Sequence, residues 1–215
     1  MRDYVASTAF MDAQLGRLLD ALNADPRGRD TIVVLWSDHG WHLGEKGITG
    51  KNTLWERSTS VPLIITGPGI KLGICREPVE LLDLYPTLAE RCRLDAPAGQ
   101  EGLDLSPQLT DVTTARTHPA ITTHNRGNHA VRSLRWRYIR YADGTQELYD
   151  HQADPNKWTN VAGDPTNAAV IAEHVRFLPL VDVPAVAGSA QRILEQRDGQ
   201  WWWEGKPIAT GDPVP

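Results

Sequence analysis

The sequence predicts an α/β fold in which part of a mixed sheet is flanked by helices, followed by a small antiparallel sheet. Helical and strand-like segments alternate from residue 2 to about residue 94, which is typical of an α/β layer. Aromatic and basic strands joined by a turn occupy residues 129–149 instead. The change in texture between these regions predicts two parts with different architectures.

Each element of the first part has its own pattern. Apolar residues at helical spacing near the amino end predict an amphipathic helix; they are Met11, Leu15, Leu18 and Leu22. The aliphatic run at residues 32–35 does not alternate, which indicates a strand buried on both faces of a parallel or mixed sheet. A second apolar run at 61–65 predicts another strand, and a helix should begin near Val79.

The second part reads as a hairpin with a helix. Residues 95–119 form an irregular connection, because Pro97 and Pro107 discourage regular structure. One strand is expected from His129 to Tyr141, with Leu134, Trp136 and Tyr138 on one face and Arg135 and Arg137 on the other. The return strand covers residues 146–149, and a helix should cover 171–178. The predicted domains are therefore 1–94, the connection 95–119, and 120–215 with an extended tail.

A candidate site follows the first strand. Ligands of α/β sheets gather beyond the carboxyl ends of the strands, where Asp38, His39 and Gly40 occur. Asp38 and His39 can both bind a metal ion, and glycine permits a tight turn. The alternative is a simple turn in which Asp38 caps the next segment.

The segments around this strand resemble the sulfatases of the alkaline phosphatase superfamily, and most closely the iduronate-2-sulfatase-like branch. The resemblance rests on residues 32–56 and 61–69, and extends to 4–22, 81–88 and 147–150. It implies an alkaline-phosphatase-like sheet, with residues 1–94 as the carboxyl-terminal part of the catalytic domain. It also implies sulfuric ester hydrolysis, with a phosphoesterase or phosphonate hydrolase of the same superfamily as an alternative.

The resemblance assigns roles to three residues. Asp38 and His39 match positions that bind a divalent cation, most often Ca²⁺ with Mg²⁺ as an option, and Lys51 matches a catalytic lysine that contacts the sulfate. Imidazole is an unusual partner for calcium. His39 therefore has a second option, as a proton donor or hydrogen-bond partner at the bridging oxygen.

Other polar residues are candidates for substrate binding. His42 follows the predicted ligands, and His124 and Arg126 precede the hairpin; such groups suit a sulfated or uronate-bearing sugar. Each has the alternative of a solvated loop residue. Glu45 is either a partner of His39 or Lys51, or an exposed loop charge.

The nucleophile expected from the resemblance is missing from this chain. In the family it is a formylglycine made within Cys/Ser-x-Pro-Ser/Ala-x-Arg or a shorter relative, and neither Cys75 nor Cys92 lies in that pattern. The family's pair of adjacent Asp residues is also missing from residues 1–215. The resemblance therefore predicts a separate amino-terminal half that supplies both, or a non-catalytic fragment or subunit. The two cysteines could form one disulfide in an exported protein, and the favoured alternative is two free thiols.

Composition excludes some partners. The 22 basic and 27 acidic residues argue against nucleic acid, and no apolar run approaches the roughly 18 residues of a membrane span. The expected partner is a sulfated small molecule or saccharide. The family indicates a periplasmic, secreted or lysosomal location.

Overall fold

The computed structural model describes residues 1–186, 194–209 and 211. The chain divides into two compact units. The first contains Met1–Lys51, Trp55–Ala120 and Arg132–Arg135, and the second contains Asn52–Leu54, Ile121–Val131 and Trp136–Pro215. The domain boundaries expected at residues 94 and 119 stay predictions.

The first unit combines helices with short strands. Its helices are α1 (Arg2–Ala24), α2 (Glu56–Thr59), α3 (Leu84–Cys92) and α4 (Ser106–Thr110), and its strands are β1 (Val33–Trp36), β2 (His42–Leu43), β3 (Thr49–Gly50) and β4 (Leu63–Thr66). Strand β1 pairs with β4, and β2 pairs with β3. Helix α1 contains no buried residue, and its exposed apolar side chains include Tyr4, Val5, Phe10, Met11 and Leu18.

The prediction that the first strand is buried on both faces was wrong in this structure. The residues of β1 are half-buried except Trp36, which is 47% exposed. Its partner β4 runs antiparallel to it, with Leu35 opposite Ile64, and Ile64 is 56% exposed. The uninterrupted aliphatic run therefore corresponds to a strand that has apolar side chains on both faces but is only partly buried.

The region after β4 is more regular than the sequence predicted. Helix α3 begins at Leu84, after a 3-10 turn at Leu81–Asp83, and so starts later than Val79. Helix α4 contains Pro107 in its first turn, where the missing N–H of proline costs no helical hydrogen bond. The irregular connection expected at residues 95–119 therefore includes a short helix.

A buried ion network ties this region together. The guanidinium of Arg116 lies 2.7 Å from Asp83 Oδ2 and 3.1 Å from Glu80 Oε2. Asp83 is fully buried and also accepts hydrogen bonds from the backbone N–H groups of Leu103 and Glu80. Thr87 accepts a further hydrogen bond from the N–H of Leu105. The 3-10 turn and α3 are thus fixed to the following connection by groups that are largely shielded from water.

The second unit contains a four-stranded sheet. Its strands β5 (Ala120–Thr123), β6 (His129–Arg132), β7 (Trp136–Arg140) and β8 (Gln146–Asp150) follow one another in chain order. Helix α5 spans Ala168–Val175, about three residues earlier than predicted. The core consists of apolar side chains from the sheet and from the segment after α5, namely Val131, Tyr138, Leu148 and Leu178. The predicted small antiparallel sheet is therefore confirmed.

The strand predicted from His129 to Tyr141 is two strands, β6 and β7, separated by residues 133–135. Leu134 lies in that bend and is 52% exposed. The prediction of an exposed polar face on β7 is also wrong. Arg137 is buried, and its Nη1 donates to the backbone oxygen of Leu54 at 2.8 Å. The other guanidinium-bearing residue of that face, Arg135, lies in the bend.

Part of the predicted extended tail is a small sheet. Strands β9 (Leu194–Arg197), β10 (Gln200–Trp203) and β11 (Lys206–Pro207) pair antiparallel; Thr210 and residues 212–215 of that tail lie outside the described residues. Cys75 and Cys92 are free, as predicted. Within the described ranges, no helix has the length and apolar character needed to cross a membrane.

Candidate active site

The turn after β1 carries two of the predicted site residues. The hydroxyl of Ser37 donates to the backbone oxygen of His39 at 2.8 Å and holds the turn. Asp38 points into solvent, with 74% of its side chain exposed, and its Oδ2 lies 3.6 Å from His39 Nε2. The carboxylate is therefore accessible to a cation or a ligand in solution.

Lys51 lies against the same histidine. Its Nζ is 2.7 Å from His39 Nε2, and His39 Nδ1 is 2.9 Å from the backbone oxygen of Gly40. A protonated lysine has only donors, so Nε2 must accept. The proton of a neutral imidazole then sits on Nδ1 and is donated to Gly40. This geometry fixes one tautomer of His39.

A short hairpin brings Lys51 to this position. Strands β2 and β3 pair antiparallel with His42 opposite Gly50, so Lys51 follows directly after the return strand. The connection turns through Gly44, whose φ of 118° favours glycine. The twelve-residue separation of His39 and Lys51 is thus closed by one hairpin.

Glu45 in this hairpin contacts neither His39 nor Lys51 among the described residues. Its Oε2 accepts the N–H of Leu43 at 2.7 Å, and its Oε1 lies 3.3 Å from Arg57 Nε in α2. The backbone N–H groups of Leu43 and Glu45, and then the charge of Arg57, hold the pKa of Glu45 below its ordinary value. The pair was missed from the sequence because it depends on where α2 packs.

His42 is enclosed by the same hairpin. It is only 1% exposed, and its ring meets Trp55 edge-on with the centroids 6.0 Å apart. Burial lowers the pKa of His42, and the charge of Glu45 opposes that shift. Burial therefore favours the neutral form of the ring. Its predicted contact with substrate stays a prediction.

His124 and Arg126 belong to the second unit, in the loop between β5 and β6. Asp182 anchors this loop, since its Oδ1 accepts the N–H of Gly127 at 3.0 Å and its Oδ2 lies 3.6 Å from Arg126 Nε. Arg126 remains 65% exposed. Its guanidinium is therefore open to an anionic ligand while its loop is held in place.

The donors near Lys51 suit part of a cation site. Asp38 offers a hard, accessible oxygen and His39 one ring nitrogen, whereas calcium takes about six to eight oxygens. The described part of the chain contains no cluster of three or more His, Cys, Asp or Glu residues that could hold a metal ion. Asp38 and His39 therefore fit a cation as two ligands among several.

Comparison with known proteins agrees with the sequence resemblance. Residues 1–92 match the family model described as Sulfatase. A sulfatase of Formosa agariphila is 46% identical over 162 residues, which are 75% of this chain and 32% of that protein. A Delta 4,5-hexuronate-2-O-sulfatase of Bacteroides thetaiotaomicron is 33% identical over 197 residues, 82% of this chain and 40% of that protein. The chain thus spans less than half the length of these relatives.

Solved structures share the fold. A 2-O GAG sulfatase superposes with a TM-score of 0.70 at 31% identity, covering 78% of this chain and 39% of that one. A phosphonate monoester hydrolase of Agrobacterium radiobacter has a TM-score of 0.68 at 27% identity, covering 78% and 38%. With the family model and the sulfatase relatives, this likeness identifies the chain as a member of the sulfatase family of the alkaline phosphatase superfamily.

Proposed function

We propose that this protein supplies cation- and sulfate-binding residues to a sulfuric ester hydrolase that acts on a sulfated carbohydrate. The single observation that carries the proposal is the 2.7 Å contact between Lys51 Nζ and His39 Nε2, beside the exposed carboxylate of Asp38. A fixed positive charge next to potential cation ligands is what hydrolysis of a sulfate ester requires. The hexuronate and GAG sulfatases among the relatives support a saccharide as substrate.

Asp38, His39 and Lys51 would have different roles in this site. Asp38 and His39 Nε2 would hold the cation, most readily Ca²⁺ with Mg²⁺ as an option, and the ammonium of Lys51 would bind a sulfate oxygen. A bound divalent cation acts as a Lewis acid that neutralises charge developing on those oxygens. The Nδ1–H of His39, donated to Gly40, orients the ring so that Nε2 faces Lys51. In this tautomer Nε2 carries the lone pair, which a cation would take from Lys51; this favours the ligand role of His39 over proton donation.

Substrate recognition extends the proposal to the second unit. Arg126 is exposed and charged, and with His124 in the same loop it would bind an anionic group of a saccharide through charge-assisted hydrogen bonds. Replacing Arg126 by Ala should change the preference among sulfated sugars and leave cation binding as it was. An unaltered substrate profile would exclude this role.

The nucleophile must come from other polypeptide. Residues 1–215 contain neither the formylglycine motif nor an Asp-Asp pair, so we expect no turnover of an aryl sulfate by the purified chain alone. The exposed apolar side chains of α1 and the half-exposed pair of β1 and β4 support packing of the first unit against such a polypeptide. Clear turnover by residues 1–215 alone would overturn this part of the proposal.

A chimera tests the function directly. The matching portion of the Formosa agariphila sulfatase would be replaced by this chain, and sulfate release would be measured with a substrate that the intact relative hydrolyses. We expect turnover by the chimera and a loss of about 10²–10³-fold on Lys51→Met, as when one charge-stabilising group is removed. Lys71→Met, a change at another exposed lysine of the first unit, is the matched control. Equal loss from both variants, or none, would refute the role of Lys51.

A second candidate function is phosphonate monoester hydrolysis, which the likeness to the Agrobacterium radiobacter enzyme favours. The same cation and lysine would bind a phosphonate oxygen. Assaying the chimera on aryl sulfate and on aryl phosphonate monoesters separates the two. Preference for the phosphonate by kcat/KM would replace the sulfatase proposal.

A further inference from the structure

The helix α2 supports both sides of the Lys51–His39 contact. On one side, the N–H of Gly40, next to His39, donates to the backbone oxygen of Ser58 at 2.8 Å. On the other side, Arg57 of the same helix reaches the carboxylate of Glu45 in the hairpin. Contacts with one short helix therefore hold His39 and the hairpin in place relative to each other.

The Gly40 side of this arrangement is tightly packed. A Cβ at Gly40 would lie 2.0 Å from the backbone oxygen of Arg57 and 3.1 Å from that of Ser60. Only a glycine allows the turn to approach α2 so closely. His39 is therefore fixed relative to the backbone of α2.

The Glu45 side is held by charge. One carboxylate oxygen accepts the N–H of Leu43, the last residue of β2, and the other lies 3.3 Å from Arg57 Nε. Because β2 pairs with β3, anchoring Leu43 also anchors the strand that leads into Lys51. Lys46 adds a contact in the same direction, with its Nζ 4.7 Å from the ring centroid of Trp55.

We propose that Glu45 is a positioning residue, which acts through Arg57 to hold the β2–β3 hairpin where Lys51 faces His39 Nε2. The link from Glu45 to Lys51 runs through the backbone of the hairpin, since the carboxylate is bonded to Leu43 and Arg57. The consequence for catalysis rests on the proposed function: Glu45 would set the place of the sulfate-binding ammonium. The consequence for the His39 ring holds whether or not the site hydrolyses sulfate esters.

The test reads the His39 tautomer by ¹⁵N NMR of the full chain with labelled histidine, under conditions where the imidazole is neutral. In the unchanged protein we expect the Nδ1–H form to dominate. Glu45→Ala should reduce that dominance, because Lys51 no longer donates steadily to Nε2 and only the Gly40 oxygen still favours the Nδ1–H form. Glu45→Gln, which keeps an acceptor for Leu43 and loses the charge for Arg57, should give a smaller loss, and Arg57→Gln should match it.

Asp25→Asn is the matched control. Asp25 also accepts a backbone N–H and pairs with an arginine, Arg27, and its side chain is 34% exposed against 35% for Glu45. It lies outside the hairpin, so the His39 spectrum should stay unchanged even if the protein becomes less stable.

Each outcome is decisive. An unchanged His39 spectrum in folded Glu45→Ala would overturn the proposal, and so would an equal change in Asp25→Asn. If Glu45→Ala does not fold, Glu45→Gln and Arg57→Gln decide the question by the same criterion. A shifted tautomer together with an inactive chimera would contradict the proposed function and still support the positioning role of Glu45.

Discussion

Lys51 Nζ lies 2.7 Å from His39 Nε2, so a lysine occupies the lone pair that a cation would need. The imidazole proton is committed to Gly40 through Nδ1, which leaves Nε2 as the one ring nitrogen available as a ligand. Lys51 and a divalent cation therefore compete for the same atom and also repel each other by charge. The competition makes Lys51 a measurable part of cation binding.

Replacing Lys51 by Met should tighten cation binding at Asp38 and His39. Removing one unit charge about 4 Å from a cation in water is worth on the order of 1 kcal/mol per charge on the cation, or an affinity gain of about fivefold or more. Titrating the full chain with Ca²⁺ and following the NMR signals of Asp38 and His39 measures the gain. Lys71→Met should leave the affinity unchanged, and weaker binding by Lys51→Met would show that the lysine is not a competitor.

Replacing Arg116 by Ala should strongly destabilise the first unit. The change leaves the carboxylate of Asp83 buried without its cation, and breaking one partner of a buried ion pair costs about 3–5 kcal/mol. Urea unfolding measures the loss. Arg27→Ala removes an ion pair whose arginine is exposed and should change stability little. A similar small effect at Arg116 would mean that water reaches Asp83.

Replacing Asp182 by Asn should lower the pKa of His129. Burial already holds the pKa of His129 below its ordinary value of 6.5, and the charge of Asp182, 3.7 Å away, opposes that shift. Without the charge of Asp182, less opposes the lowering of the His129 pKa by burial. The pKa of His129, measured by NMR titration, should therefore fall, while Asp154→Asn, at another half-buried carboxylate of the second unit, should not move it.

The sign of the stability effect follows from the same shift. Because the folded pKa of His129 is depressed, the unfolded chain binds the proton more readily, and stability falls as the pH drops from 6.5 towards the folded value. Asp182→Asn lowers the pKa of His129 in the folded protein further, so the loss of stability should continue to a lower pH. A loss of the same extent in both proteins would contradict the assignment.

The sequence predicted elements whose pattern is local. Spacing of apolar residues is enough to predict α1, and the turn at residues 142–144 is enough to predict the β7–β8 hairpin, because neighbours along the chain determine both. The prediction of an irregular connection around Pro107 missed helix α4, because proline disfavours the interior of a helix but not its first turn. The burial of Arg137 was not predictable, because its acceptor, Leu54, is 83 residues away.

The candidate site divides in the same way. Asp38, His39 and Lys51 were predicted as site residues from spacing and family resemblance, and the structure brings Lys51 and His39 into contact. The Glu45–Arg57 pair and the close approach of Gly40 to α2 depend on packing between segments, which a single sequence does not encode in any local pattern. His42 looked exposed in a polar loop, yet the hairpin buries it against Trp55.

Replacing Gly40 by Ala should disturb both stability and the site. The added methyl group would lie 2.0 Å from the backbone oxygen of Arg57, a clash with backbone that the turn can relieve only by moving away from α2. Such overpacking costs about 1–3 kcal/mol, and the movement should carry His39 away from Lys51. Urea unfolding and the His39 tautomer measure the two effects.

Gly16→Ala is the control for this prediction. Gly16 lies inside α1 with no atom within 4 Å of an added Cβ, so alanine should stabilise the helix by about 0.5–1 kcal/mol. The two identical substitutions should therefore change stability in opposite directions, and only Gly40→Ala should alter the His39 spectrum. Equal stability of the two variants would mean that the turn does not depend on its close approach to α2, and α2 would lose its role as the common support of His39 and Lys51.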